Sequence, residues 1–317
     1  MKTVERDLKI AVVGHLVTDE IIYANGKTKS ALGGMAYNLA ALATIAERAR
    51  ILPICRVGSD AWGEMRAVFG RWQSVDFANV SYCDRSNVVH RLTYHADGSR
   101  EEWNSARQQP LSLRKVPEDA DALILNFISG RDVVSAELEA FRKRFRGLIY
   151  LDIHSLVLGL DSRMIRFLRP HRNWQAYVSC ADMLQMNAAE LGTLVRNEIR
   201  NFADIASACK SIHKYGPRLI VVTMGKEGLL LSHGKRVYHL LPIKISRAID
   251  STGCGDTLGA TFVYEYLRSG DALGSIETAN RYAAAKATFS GLEGFANMER
   301  ILKRIGKPTK AREIRVG

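Results

Sequence analysis

Asp250-Ser251-Thr252-Gly253-Cys254-Gly255-Asp256 stands between an apolar stretch, Leu240 to Ile249, and a helical pattern running from Leu258 to Leu267. That pattern offers Phe262, Val263, Tyr266 and Leu267 for an apolar face, so the segment reads as a strand-to-helix junction. Two glycines flanking one small residue at a helix entrance let the backbone approach a ligand and aim unpaired N–H groups at it. Such an end attracts phosphate or a developing oxyanion. Asp256, in the same turn, is placed to serve as a general base toward a hydroxyl. An anion cradle and a base together are what phosphoryl transfer to an alcohol needs. By itself the segment also reads as a tight turn in which Asp256 only balances the helix dipole. Its companions decide.

Outward from this junction, short apolar runs alternate with helical patterns. Strands are expected at Leu8–Val13, Ala49–Arg56, Ala122–Asn126, Gly147–Asp152, Ala176–Cys180, Leu219–Met224 and Gly228–Ser232. Helices are expected at Met35–Ala46, Trp62–Gln73, Ala136–Arg144, Ala188–Val195, Phe202–Tyr215, Asp256–Leu267 and Leu273–Phe289. The alternation predicts an α/β fold with a mostly parallel central sheet covered on both faces. Two segments break it. Asn87–Ala96 and Ser99–Asn104 flank Asp97-Gly98, a hairpin signal, and Tyr23–Ser30 carries Asn25-Gly26. Hairpins inserted in such a chain stand off the main layer, so a small β lid is expected from about 19–32 and 87–105, on a single domain spanning 1–317.

The chain has 317 residues, of which 47% are hydrophobic and 25% charged, an ordinary globular composition. No apolar run reaches the ~18–20 residues of a membrane span, and the N-terminal residues lack a secretory hydrophobic region. A cytoplasmic protein without membrane contact is expected. Cys55, Cys83, Cys180, Cys209 and Cys254 are widely spaced with no Cys-x-x-Cys pair, which argues for free thiols rather than zinc or disulfides. The net charge of +12 is spread along the chain, and no nucleic-acid-binding motif accompanies it. No nucleic-acid partner is expected.

Gly14-His15-Leu16-Val17-Thr18-Asp19 closes the first strand and delivers a carboxylate near its C-terminal end, where open α/β sheets bind ligands. Gly33-Gly34-Met35-Ala36-Tyr37-Asn38 opens a helix, with Asn38 one turn in on the face of Gly34. Asp19 and Asn38 together can hydrogen-bond a polyhydroxylated substrate; taken singly, Asp19 reads as a loop cap and Asn38 as a surface helix residue. Asn187-Ala188-Ala189-Glu190 places an amide and a carboxylate three residues apart at a helix start. It suits either a hydrated divalent ion or a simple capping box. Thr223-Met224-Gly225-Lys226-Glu227-Gly228 links two apolar strands as a turn.

In this order the signals resemble the ribokinase-like (PfkB) carbohydrate kinase family, over nearly the whole chain from Gly14 to about Gly294. The resemblance implies a Rossmann-like αβα sandwich with a β lid, and ATP-dependent phosphorylation of a hydroxyl on a small sugar, inositol-like polyol or nucleoside. It implies ATP and Mg2+ as cofactors, with a monovalent cation beside them. Asp256 takes the family's base position, and the amides of Gly253, Cys254 and Gly255 its anion hole. Asp19, Gly33, Gly34 and Asn38 match the acceptor site. Asn187, Thr223, Gly225, Gly228, Thr252 and Asn280 match the nucleotide side, and Glu190 the metal. The competing expectation is a non-catalytic ligand-binding or regulatory protein on the same scaffold.

Several positions depart from the family pattern. Cys254 stands where alanine is common, and a thiol at a helix N-terminus is expected to have a lowered pKa. In Asp152-Ile153-His154, His154 either meets phosphate or fills the cleft wall. Met35 and Tyr37 suggest a more apolar acceptor site. In the lid, Arg91, His95, Arg100 and Trp103 are candidates to touch the acceptor, and Arg91, Arg100 and Arg107 would serve a phosphorylated one. Exposed lid edges suggest a homodimer formed lid to lid.

Overall fold

The computed structural model describes residues 7–46, 48–97 and 99–314. The chain begins in β1 (Leu8–Gly14), crosses at His15 into β2 (Leu16–Ile22), and turns back as β3 (Thr28–Gly34) before α1 (Ala36–Ile45). Next come β4 (Ala49–Ile54), β5 (Arg56–Gly58), α2 (Ser59–Phe69), β6 (Ser81–Cys83), β7 (Val89–Tyr94) and β8 (Arg100–Asn104). The middle of the chain forms β9 (Ala122–Asn126), α3 (Ser135–Arg144), β10 (Leu148–Asp152), β11 (Leu158–Leu160), β12 (Arg166–Leu168) and α4 (Trp174–Val178). After these lie β13 (Met183–Asn187), α5 (Ala188–Val195), α6 (Phe202–His213), β14 (Leu219–Thr223), β15 (Leu229–His233) and β16 (Arg236–Leu240). The final elements are α7 (Cys254–Ser269), α8 (Ala272–Lys286), α9 (Met298–Leu302) and β17 (Arg312–Ile314).

Among the described residues nine strands form the central sheet, in the order β17-β16-β15-β14-β13-β10-β9-β1-β4. Pairing is parallel from β4 through β14, and the last three strands run antiparallel to their neighbours. Side chains alternate across such a strand, and β1 shows it. Ile10 and Val12 enter the core beneath α1, α7 and α8, while Ala11 and Val13 enter the core beneath α3, α5 and α6. Burial on both faces is why these strands read as continuous apolar runs. The α/β sandwich expected from the sequence is the fold observed.

A second sheet of four strands, β3-β2-β7-β8, stands beside the first. Its β2–β7 pair is parallel and its other pairs antiparallel. Gly98 of the Asp97-Gly98 turn lies outside the described residues; next to it, the Asp97 carboxylate accepts from the Ser99 N–H at 2.8 Å. The β11–β12 hairpin, whose turn is held by Asp161 Oδ1 accepting from the Arg163 and Ile165 N–H groups, joins this sheet through a bridge between Trp103 and Ile165.

Two sequence expectations need correction. Residues 176–180 are not a strand: Ala176–Val178 belongs to α4, and the strand that delivers Asn187 is β13. Gln185 interrupts the apolar run of β13, yet it is buried because its amide finds partners inside the fold. Nor does Leu240–Ile249 form a strand, since β16 ends at Leu240. Pro242 has no N–H to give a ladder. The loop is held instead by the N–H groups of Ile249 and Asp250, both donated to the Ala287 carbonyl.

Candidate active site

The parallel strands β1, β9, β10, β13 and β14 all end on one rim, leaving His15, Asn126, Asp152, Asn187 and Thr223 there. Ligands of open α/β sheets bind outside this carboxyl edge. The N-terminus of α7 arrives at the same rim, and a cleft of about 860 Å³ lies between it and the small sheet.

Asp256 lies in the first turn of α7, with its carboxylate steered from behind. Asn126 donates through Nδ2 to Asp256 Oδ1 at 2.6 Å and also to Asn38 Oδ1. Asn38 in turn donates to the Asp256 carbonyl at 3.1 Å. Burial raises Asp256 to about 6, against the Asn126 bond and the charge of His154. Nearby, burial raises Asp152 to about 8 against the pull of His154, with Asp256 and Glu190 adding to the rise. At neutral pH one carboxyl is therefore charged and the other largely neutral. Gln185 braces the turn, donating to the Gly255 carbonyl at 2.9 Å.

The turn before α7 has no side-chain cap, and Gly253 sits at φ +78°, in the left-handed region. A Cβ there would also lie 2.3 Å from the Tyr37 ring. Thr252 donates its N–H to Asp250 Oδ1 at 2.9 Å, while its buried Oγ1 has no protein partner. An unpartnered buried hydroxyl beside uncapped helix amides suits an incoming oxyanion. The Cys254 N–H, expected in the anion hole, is already given to the Ser251 carbonyl at 3.2 Å. Its thiol also departs from expectation. Burial pushes Cys254 up to about 12, with Asp250 and Asp256 opposing the thiolate and Lys286 only partly compensating. Proximity to a helix N-terminus does not outweigh that desolvation.

Across the cleft, Asp19 is buried on β2, with Oδ1 3.4 Å from His90 Nδ1. Its carboxyl group occupies the space a side chain at residue 33 would fill: a Cβ on Gly33 would be 2.0 Å from Asp19 Cγ. Gly33 and Asn38 thus sit behind the wall of the cleft. Asn38 is 1% exposed, with its amide committed to Asp256 and Asn126, so it orients the carboxylate rather than facing a substrate.

Strand alternation sorts the small sheet. His90, Leu92, Arg100 and Glu102 line the cleft. Arg91 points the other way, paired with Glu20 and lying 4.8 Å from the Trp103 ring centroid. Arg100 alone of the candidates from this sheet faces the cleft; Arg91, His95 and Trp103 are absent from its lining, and Arg107 bonds to the Leu160 carbonyl. Against the cost of burial, His90, Arg100, His154 and Arg166 hold Glu102 well below the usual carboxylate range. Arg166, from β12, is fixed by Asn104, Ser155 and the Ile128 carbonyl. Met35 is fully buried in the core and Tyr37 packs on Gly253, so this end is charged rather than apolar.

At the other end Asn187 and Glu190 form a capping box: Asn187 Oδ1 accepts from the Glu190 N–H, and Glu190 Oε2 from the Asn187 N–H. Glu190 Oε1 takes His154 Nδ1 at 2.8 Å. Burial lowers a histidine, but here Glu190, Glu102 and Asp152 outweigh it and raise His154 to about 9, so the ring is cationic. With both oxygens engaged, Glu190 suits a metal held through water, and among the described residues no group of three His, Cys, Asp or Glu gathers for direct ligation. Thr223, Gly225, Gly228 and Asn280 line the same cleft. Asn280 Nδ2 donates to the Leu241 carbonyl at 3.1 Å, pinning the loop above it.

Residues 159–296 match the pfkB family carbohydrate kinase, a span containing Asn187, Glu190, Thr223 and the 250–256 segment. Over that span the chain is similar to that family. It is 23% identical over 280 residues to the cytidine kinase of Thermococcus kodakarensis, covering 82% of this chain and 89% of that one. It has the ribokinase fold. A structure of Arabidopsis thaliana ribokinase with ribose and ATP superposes with a TM-score of 0.73 at 18% identity, over 94% of this chain and 99% of the other. A pyrophosphate-dependent kinase of the ribokinase family, complexed with a pyrophosphate analog and myo-inositol, gives 0.74 at 17% identity over 92% and 99%.

Around this site, sequence reading missed Asn126, Gln185, Glu102, Arg166 and Lys286. Asn126 had a usable signal, a polar residue ending an apolar strand. Arg166 had none.

Proposed function

We propose that this chain is an ATP-dependent kinase that transfers the γ-phosphoryl group to a hydroxyl of a small sugar, polyol or nucleoside. The carrying observation is the Asp256 carboxylate, raised to about 6, steered by Asn126 and set in the first turn behind the uncapped Gly253 turn. A base of that pKa is charged at neutral pH and still accepts a proton. Asp19, which raises Asp256 further, faces the same cleft and holds the acceptor. Its carboxylate and the His90–Glu102 pair suit a polyhydroxylated molecule.

In the reaction the acceptor hydroxyl gives its proton to Asp256 as its oxygen bonds to the γ-phosphorus, and the bond from phosphorus to the ADP oxygen breaks. The uncapped amides of Gly253 and Gly255 and the Thr252 hydroxyl steady charge on the transferring oxygens. Glu190 and Asn187 would hold the water shell of a Mg2+ ion, whose charge would neutralise that of the phosphates. A nucleotide donor, rather than pyrophosphate, is supported by room beyond the anion turn. There Pro242, Ile243, Ile245, Ala283 and Ala287 make an apolar wall of the kind that takes an adenine ring. The small sheet serves as a lid over the acceptor.

Release of ADP from Mg-ATP with pooled sugars, inositols and nucleosides tests this reading, and turnover with one pool is expected. Tight binding of one acceptor without turnover would favour a binding protein. Gly33→Ala pushes Asp19 from its place. It is expected to cost about tenfold or more in kcat/KM for the acceptor, the scale of one lost charged hydrogen bond, with the KM for ATP unchanged within about twofold.

A further inference from the structure

Lys286 ends α8 with no exposed surface. Burying an ammonium group is costly unless partners replace its water. The Phe289 carbonyl accepts from Nζ at 3.2 Å. Nζ also lies 5.3 Å from the ring centroid of Tyr37 and 5.0 Å from that of Phe289, both within cation–π range. Among the described residues no carboxylate pairs with it directly. Its charge instead reaches Asp250, Cys254 and Asp256 through the protein, the residues that bound the anion turn.

The packing couples that charge to the turn. The Tyr37 ring that receives the ammonium is the ring against which Gly253 packs. Ala287, next to Lys286, accepts the N–H groups of Ile249 and Asp250 through its carbonyl. Asp250 then holds the Thr252 N–H at 2.9 Å and the Ser290 hydroxyl at 2.8 Å. Lys286, the carboxylate that shapes the turn and the turn itself form one unit. A second, dissociable cation does not fit here. The Ala287 and Phe289 carbonyls are already accepting, and like charges in a poorly solvated interior repel strongly.

We infer that Lys286 is a built-in counter-cation of the anion turn, standing in for a dissociable monovalent cation, so that donor phosphates bind without K+ or NH4+. Lys286 is a positioning residue, and its role rests on the donor reading above.

The test compares ADP affinity by calorimetry and the melting temperature in KCl and in choline chloride at matched ionic strength. Both are expected to be the same in the two salts for the wild-type chain. Lys286→Met should lose about tenfold in ADP affinity in choline chloride, and KCl or NH4Cl should return at least about threefold of it, because the vacated site then admits a cation. Lys286→Arg should keep most of the affinity in either salt. A wild-type chain that needs K+ overturns the inference. So does a Met variant that binds ADP as wild type in choline, or one whose loss no cation restores. Should the Met variant fail to fold, the wild-type comparison and the Arg variant decide. If the wild type binds no ADP in either salt, the donor reading falls, and the salt dependence of melting still decides what Lys286 replaces.

Discussion

Asp256→Asn is expected to lower kcat at least ~100-fold, a barrier increase of ~2.7 kcal/mol, while ADP binds within about twofold of wild type. The substitution keeps the shape of the side chain and its acceptor oxygen for Asn126, so the turn stays in place. What disappears is the site to which the acceptor proton goes. The pH profile separates this from a packing defect. A base with its pKa raised by burial to about 6 is protonated and idle below that value and charged above it. Turnover of the wild-type chain should therefore climb through a limb near pH 6 and level off above it. The residual rate of Asp256→Asn should lack that limb. A variant turning over at the wild-type rate, or a wild-type profile flat from acid to neutral pH, removes Asp256 from its role.

Gly253→Ala should be nearly as damaging by another route. Residue 253 holds φ +78°, which costs a residue bearing a Cβ ~1–2 kcal/mol. The new methyl would also meet the Tyr37 ring at 2.3 Å, well inside contact distance. Either the ring moves or the turn opens, and the first N–H groups of α7 lose their aim. Loss of one oriented oxyanion donor typically costs ~100-fold in kcat. We expect that loss together with a lower melting temperature. In contrast to Asp256→Asn, the pH limb should remain, because the base is intact. An alanine variant with wild-type kcat would show that the amides of this turn do not hold the transferring phosphate.

The parallel layer was legible because strands buried on both faces leave unbroken apolar runs, and Ala122–Asn126 emerges at its expected bounds. The error at 176–180 has the same cause in reverse. Those residues are apolar enough for a strand, while the real one, β13, carries Gln185, whose partners come from Asp152 and the far-off Gly255. No local pattern announces a polar residue whose amide N–H groups find partners across the fold. The small sheet was located, but its register was not. Alternation along β7 and β8 puts His90 and Glu102 inward and Arg91 and Trp103 outward, a choice made by pairing with β2. Cys254 was misjudged and Lys286 passed over for one reason: a helix-start thiol reads as activated and a helix-end lysine draws no notice, until burial is known.

The way the chain passes between its two sheets has a consequence for which molecules fit. His15 makes the first crossing and Met35 the return, and the Met35 N–H donates to the His15 carbonyl at 3.2 Å. Asp19 is reached along β2 from one side of this clasp, and Asn38, which orients Asp256, along α1 from the other. In the proposed reaction the clasp is thus a gauge: the gap between Asp19, which would grip the alcohol, and Asp256, which would deprotonate it, is measured from one shared origin. Altering residues there, with no contact to any substrate, would reset the size of molecule the gap accepts while leaving the chemistry at either jaw untouched.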